Sequence, residues 1–173
     1  MTWSRGAAFV ALAYVALIVA ATLQALAPFH LPLPELGLLV VLYLGLTGRA
    51  GAISHVVVAL VIGYLSDLFA GSPRGLHALT FGVVMIVARS ASSRLMVNSR
   101  WQEIVVALFA SLAHGALLVA VAAPMYSGDA LSSLRLLPMT GLATALSAPF
   151  ALALFRRLDK RLAPDPRALR MSV

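Results

Sequence analysis

The chain contains no cysteine, only six acidic residues, and only 11% charged residues in a length of 173. The missing thiol excludes disulfides, thiolate catalysis and cysteine-based metal sites, and leaves the redox compartment undetermined. The scarcity of charge excludes more. An average soluble domain is roughly 25% charged, and 13 basic plus six acidic side chains cannot clothe 18.2 kDa in a solvated surface. What fills the chain instead is 61% hydrophobic residues at a mean hydropathy of +0.96, so its apolar surface must face lipid. The net charge of +7 does not point to nucleic acid, because the basic residues lie between apolar segments and at the C-terminus.

A spanning helix takes about 20 residues, so the length allows six or seven spans and no extramembrane domain. The apolar segments predict an all-α integral membrane protein with six transmembrane helices, at about 6–27, 34–48, 51–70, 75–91, 102–124 and 134–156, followed by a basic tail over 157–173. Ala25-Leu26-Ala27 has the form of a signal-peptidase site, but the apolar run before it exceeds a signal core of roughly 7–15 residues, so it reads as uncleaved. The second segment is too short for an upright span and must thin the bilayer, end below the surface or be shielded by its neighbours. Pro138 and Pro149 are expected to kink the sixth.

Basic residues set the orientation. With the N-terminus cytoplasmic, eleven of the 13 basic residues fall on the inner side and only Arg74 and Arg135 on the outer, which also supports the short second span. Both termini are then cytoplasmic. In the tail, Arg156, Arg157, Lys160 and Arg161 share one helical face next to the membrane, suited to anionic lipid headgroups. Docking of a partner is the other reading of that face.

The segment from Gly63 to His77 is the richest in signal. A carboxylate in the last turn of a helix meets the negative end of the dipole, so Asp67 needs a partner. Gly71 suits a left-handed end to the third span, Ser72 a cap for the fourth, and Pro73 its first helical position. A tight outer turn results, with Arg74 and the N-terminus of the fourth span within reach of Asp67. Two readings stay open: an ion pair or cap that fixes the angle between two helices, or a carboxylate that binds a ligand or a proton.

His55, Ala59, Ile62, Gly63, Ser66 and Ala70 form one stripe on the third span, and Glu103, Ala107, Ala110, Ser111 and His114 another on the fifth. Such small and polar faces should point inward, where the histidines find interhelical partners. Metal binding is disfavoured because His30, His55, His77 and His114 sit on separate elements. A phosphate-binding loop, a nucleophile elbow and paired acidic residues are all missing, so the chain reads as no enzyme and as needing no cofactor.

The order of spans, the Pro32-Leu33-Pro34-Glu35 break before the short segment, and the run Gly63-Tyr64-Leu65-Ser66-Asp67-Leu68-Phe69-Ala70-Gly71-Ser72-Pro73-Arg74-Gly75-Leu76-His77-Ala78-Leu79 resemble the rod-shape-determining MreD family. The resemblance covers nearly the whole chain, and its sharp part is that one segment. It implies a non-enzymatic scaffold of the elongasome, which directs lateral peptidoglycan synthesis. The implied partners are the single-span protein MreC and, beyond it, RodA, a class B penicillin-binding protein and MreB. It also implies a fold similar to the S components of energy-coupling-factor vitamin transporters, which makes a substrate-binding S component the alternative function. Asp67, Gly71, Pro73, Gly75 and His77 match recurring residues of the family segment, whereas Arg74 stands where an apolar residue is common. For a scaffold, small-residue faces of span one, at Ala16, and span two, at Gly45, are the expected docking surfaces.

Overall fold

A computed structural model describes residues 3–26, 33–47, 52–70, 73–92, 99–122 and 130–162. Among the described residues the chain is six helices and no strand: α1 (Trp3–Leu26), α2 (Leu36–Thr47), α3 (Ala52–Ala70), α4 (Leu76–Ser92), α5 (Arg100–Ala122) and α6 (Ala130–Leu162). Each falls where an apolar segment predicts a span. Four of them, α1, α3, α5 and α6, are long and apolar enough to cross a membrane, while α2 and α4 are shorter apolar helices.

Why α2 tolerates its brevity is visible in the packing. It touches all five other helices, and every residue from Gly37 to Gly45 is buried. A helix apolar on all sides is stable where protein surrounds it, which is the shielding alternative among the three open to a short segment. At about 1.5 Å per residue its 12 residues span only about 18 Å, short of a hydrocarbon core of about 30 Å. The consequence for Gly45 is a correction. A Cβ there would stand 2.7 Å from Ala88 Cβ and 3.4 Å from Met85 O, so this glycine faces α4 inside the core and presents no docking surface.

The outer helices show their apolar faces to the surroundings. Val15, Ile18, Leu23, Val57, Leu79, Val105, Phe109, Leu146 and Phe150 are exposed, as lipid-facing side chains must be in a chain with so little charge. The two proline residues leave α6 unbroken over 33 residues. Hydroxyls near them bond back to the helix, Thr140 Oγ1 to Leu137 O, Thr144 Oγ1 to Thr140 O and Ser147 Oγ to Thr144 O, so each is satisfied within α6. The helix continues past 156, so Arg156, Arg157, Lys160 and Arg161 form its last turns.

α5 begins with a reciprocal cap that the sequence reading passed over. Ser99 Oγ accepts from Gln102 N at 3.3 Å while Gln102 Oε1 accepts from Ser99 N at 3.1 Å, so two orphan donors are satisfied together. α3 and α4 form a close antiparallel pair for a simpler reason. A Cβ on Gly63 would lie 2.6 Å from both Ala78 N and His77 O. Backbone, unlike a side-chain tip, cannot step aside, so only glycine permits this approach. Gly63→Ala should destabilise the protein by about 1–3 kcal/mol through overpacking, read as a lower Tm in detergent. Gly82→Ala, which meets only Leu60 Cδ2 at 3.3 Å, should leave Tm nearly unchanged.

Candidate functional site

The polar residues of the bundle gather at its two ends. At one end, α3 finishes and α4 begins around the turn Pro73–Gly75. Asp67 is 2% exposed, and its carboxylate accepts from Gly75 N at 2.8 Å through Oδ2 and from His77 N at 2.8 Å through Oδ1. Those amides are orphan donors at the start of α4, which no helical carbonyl can reach. A side chain from the end of one helix therefore caps the next, and the positive end of the α4 dipole offsets the unfavourable end of α3. His77 Nδ1 lies 2.8 Å from the same Oδ1. An ionised carboxylate only accepts, so Nδ1 carries the proton and Nε2 becomes the other face of the ring.

Several expectations about this turn change. Arg74 is exposed and makes no bond to Asp67; His77 and the backbone take the place assigned to it. Pro73 precedes the helix, with its carbonyl accepting from Leu76 N at 3.2 Å, and is not the first helical residue. Gly75, at φ +95°, is the glycine in the left-handed region among the described residues. Its conformation aims the amide of Gly75 back at Asp67, a position where a Cβ would be strained. Gly71 and Ser72 lie outside the described residues.

Beside this turn is a cavity of about 230 Å³. It is bounded by Ala16 and Ala20 of α1, by the segment leading into α2, and by the polar side chains of Glu35, Ser66, His77 and His114. Glu35 was read in the sequence only as the end of a proline break; the fold makes it a wall of the cavity. Its amide donates to Thr144 Oγ1 at 3.0 Å, and its Oε2 accepts from Ser111 Oγ at 3.3 Å, ties to α6 and α5 across 109 and 76 positions. His114 stands one turn beyond Ser111 on the same face of α5 and is 1% exposed, with Nδ1 lacking a hydrogen-bond partner. Its ring centroid is 5.8 Å from that of His77 and 4.8 Å from that of Phe81. Ser66 Oγ donates to Ile62 O at 3.0 Å.

The opposite end holds a second polar group. Glu103 in the first turn of α5 is 5% exposed and pairs with Arg156 of α6. Tyr43 Oη donates to Asp159 Oδ2 at 3.2 Å, and the Tyr43 ring packs at 5.7 Å against both Phe9 and Phe155. Tyr43 and Asp159 carried no sequence signal, since neither belongs to a motif or a polar stripe. Of the stripe residues, His55, Ala59, Ile62, Gly63 and Ser66 are buried while Ala70 is exposed; on α5, Glu103, Ala107, Ser111 and His114 are buried and Ala110 partly so. His55 is not brought to the cavity. No group of three or more metal-capable side chains occurs among the described residues.

The helices and this polar bundle interior define a polytopic, all-helical membrane protein. Residues 1–160 match the family described as rod shape-determining protein MreD, and the chain belongs to that family. Neither a curated protein nor a solved structure matches it.

The Asp67 turn generates a stability prediction. Asp67→Asn keeps the shape but puts an amide donor where one of two backbone donors points, leaving a buried clash of donors. The expected cost is roughly 1–3 kcal/mol, or a fall in Tm of about 2–10 °C in detergent. An unchanged Tm would show that Asp67 does not hold α3 to α4.

Proposed function

We propose that this protein is a non-enzymatic scaffold for rod shape determination in the bacterial inner membrane, where it binds MreC and supports lateral peptidoglycan synthesis. In this reading the chain passes through the membrane six times, α2 serving as a short central segment shielded by the other five helices, and both termini are cytoplasmic. RodA, a class B penicillin-binding protein and MreB are the further members of the assembly. The Asp67 turn, with Pro73, Gly75 and His77, rigidifies the outer end. Of the basic face Arg156, Arg157, Lys160 and Arg161, Arg156 pairs with Glu103, and the other three hold the inner end of α6 at anionic headgroups, with about 1 kcal/mol from each basic residue near the surface.

The observation that carries the reading, beside the family match, is how α1 sits. Its contacts are with α2, α3 and, less, α6, and Tyr14, Val15, Ile18, Val19 and Leu23 are left exposed. An apolar groove of about 370 Å³ runs along it, lined by Ala8, Phe9, Ala11, Leu12 and Val15 with Leu158 of α6. Helices associate in lipid by close packing, so a groove floored by alanines suits a single-span partner better than the flat remainder of the surface.

The alternative, a substrate-binding S component of a vitamin transporter, draws its support from the cavity beside Glu35 and His77. It expects an ATPase module to co-purify in place of MreC.

Two measurements test the scaffold reading. Ala11→Leu fills the groove and should reduce MreC recovered with the tagged protein at least tenfold while leaving Tm within about 2 °C, since surface changes rarely exceed about 0.5 kcal/mol. Equal recovery would remove α1 as the docking face. For orientation, the native absence of cysteine allows single labels. Arg74→Cys should react with an impermeant maleimide from outside intact spheroplasts, and Arg157→Cys only after lysis.

A further inference from the structure

From the cavity between α1, the residues leading into α2, and α3 to α5, we infer that this protein binds a primary ammonium group, through the Glu35 carboxylate and the His114 imidazole. The inference rests on the cavity alone and holds for a scaffold as for a transport component.

Three observations lead to it. The first is a carboxylate without a counter-ion. Glu35 lines the cavity, and among the described residues its side chain has one partner, the Ser111 hydroxyl at 3.3 Å, and no cation. A carboxylate offers about four lone-pair sites, and placing one inside a bundle is costly unless opposite charge or several donors meet it. The second is an imidazole equally short of partners. His114 is 1% exposed, lines the same cavity, and its Nδ1 has no hydrogen bond. Ser111 and His114 are three residues apart on one face of α5, so the group that bonds Ser111 stands next to His114. The third is the sign of the lining. Among the described residues none of those around the cavity is Lys or Arg, while the buried carboxylate of Asp67 stands directly behind His77.

The missing component is therefore a donor of positive charge. A primary ammonium carries three N–H donors and no acceptor, matching a carboxylate whose one partner is a neutral hydroxyl and an imidazole whose Nδ1 has none. The rings of Phe69 and Phe81, which also line the cavity, favour a cation further. A volume of about 230 Å³ equals roughly seven waters at about 30 Å³ each, enough for an ammonium on a short chain. A metal ion is a poorer fit, because no cluster of three ligating side chains exists among the described residues. The ammonium can arrive as a free small amine or as the headgroup of an aminophospholipid, and these sources share one chemistry.

The test uses the full-length protein in phosphatidylcholine nanodiscs, whose lipid has no primary amine, titrated calorimetrically with ethanolamine and with choline. Ethanolamine should bind saturably at one site and raise Tm, with choline at least tenfold weaker because its methyl groups remove every N–H. Glu35→Gln, nearly the same shape without the charge, should weaken ethanolamine binding at least tenfold, and His114→Gln should weaken it measurably. A second arm places the protein in nanodiscs of mixed phosphatidylcholine and phosphatidylethanolamine and weighs the ejected complex by native mass spectrometry. Selective retention of one phosphatidylethanolamine, displaced by ethanolamine, identifies a lipid headgroup as the source; ethanolamine binding without that retention identifies a free amine. Equal affinity for choline, equal affinity in folded Glu35→Gln, or no binding of either probe would overturn the inference and leave a water-filled cavity. Loss of MreC binding in Ala11→Leu, or its absence, has no bearing on these outcomes.

Discussion

The burial of α2 is the constraint on which the rest of the structure depends. Twelve apolar residues cannot reach across a hydrocarbon core of about 30 Å, and in lipid every backbone polar group must find a partner within the protein. Five helices therefore close around α2, and both of its ends need polar groups supplied by its neighbours. Thr144 of α6 accepts from the Glu35 amide just before its first turn. Near its last turn, Tyr43 donates to Asp159 of the same α6. Polar groups of the bundle thus meet both ends of one short helix.

The clusters differ in completeness, and the difference is informative. At the Asp67 turn, two amides and an imidazole converge on one carboxylate, and at the inner end Glu103 meets Arg156. Satisfied networks of this kind rigidify a bundle and define the angles between helices. Beside the first of them, Glu35 and His114 share a cavity with little to bond. A protein under selection for packing alone would fill such a space with leucine. These two groups are the ones on which the proposed ammonium site rests.

A rod shape-determining role asks a membrane protein to be rigid inside and apolar outside. The α3–α4 pair locked by Gly63 and Asp67 meets the first requirement, and the exposed flank of α1 meets the second. Because Gly45 packs on Ala88, the small residues of α2 serve internal packing, and the groove along α1 is the surface proposed for another helix.

The composition and the spacing of charge were enough to determine the class of protein, the number and positions of the helices, and the segment around Asp67, because a bilayer imposes length and polarity on every span. The importance of Asp67 was also legible, since a carboxylate at a helix C-terminus is anomalous in any fold. Its partner was not: Arg74 is nearest in charge, but the positive φ of Gly75 turns two amides and His77 toward the carboxylate instead. Glu35, Tyr43, Thr144 and Asp159 escaped notice for a shared reason. Their bonds join residues 76 to 116 positions apart, and periodicity along one helix carries no information about which neighbour it meets. Helices and their lipid-facing surfaces follow from local sequence; which of them surrounds α2, and which polar groups that encirclement leaves facing a cavity, was decided only by the packing of all six.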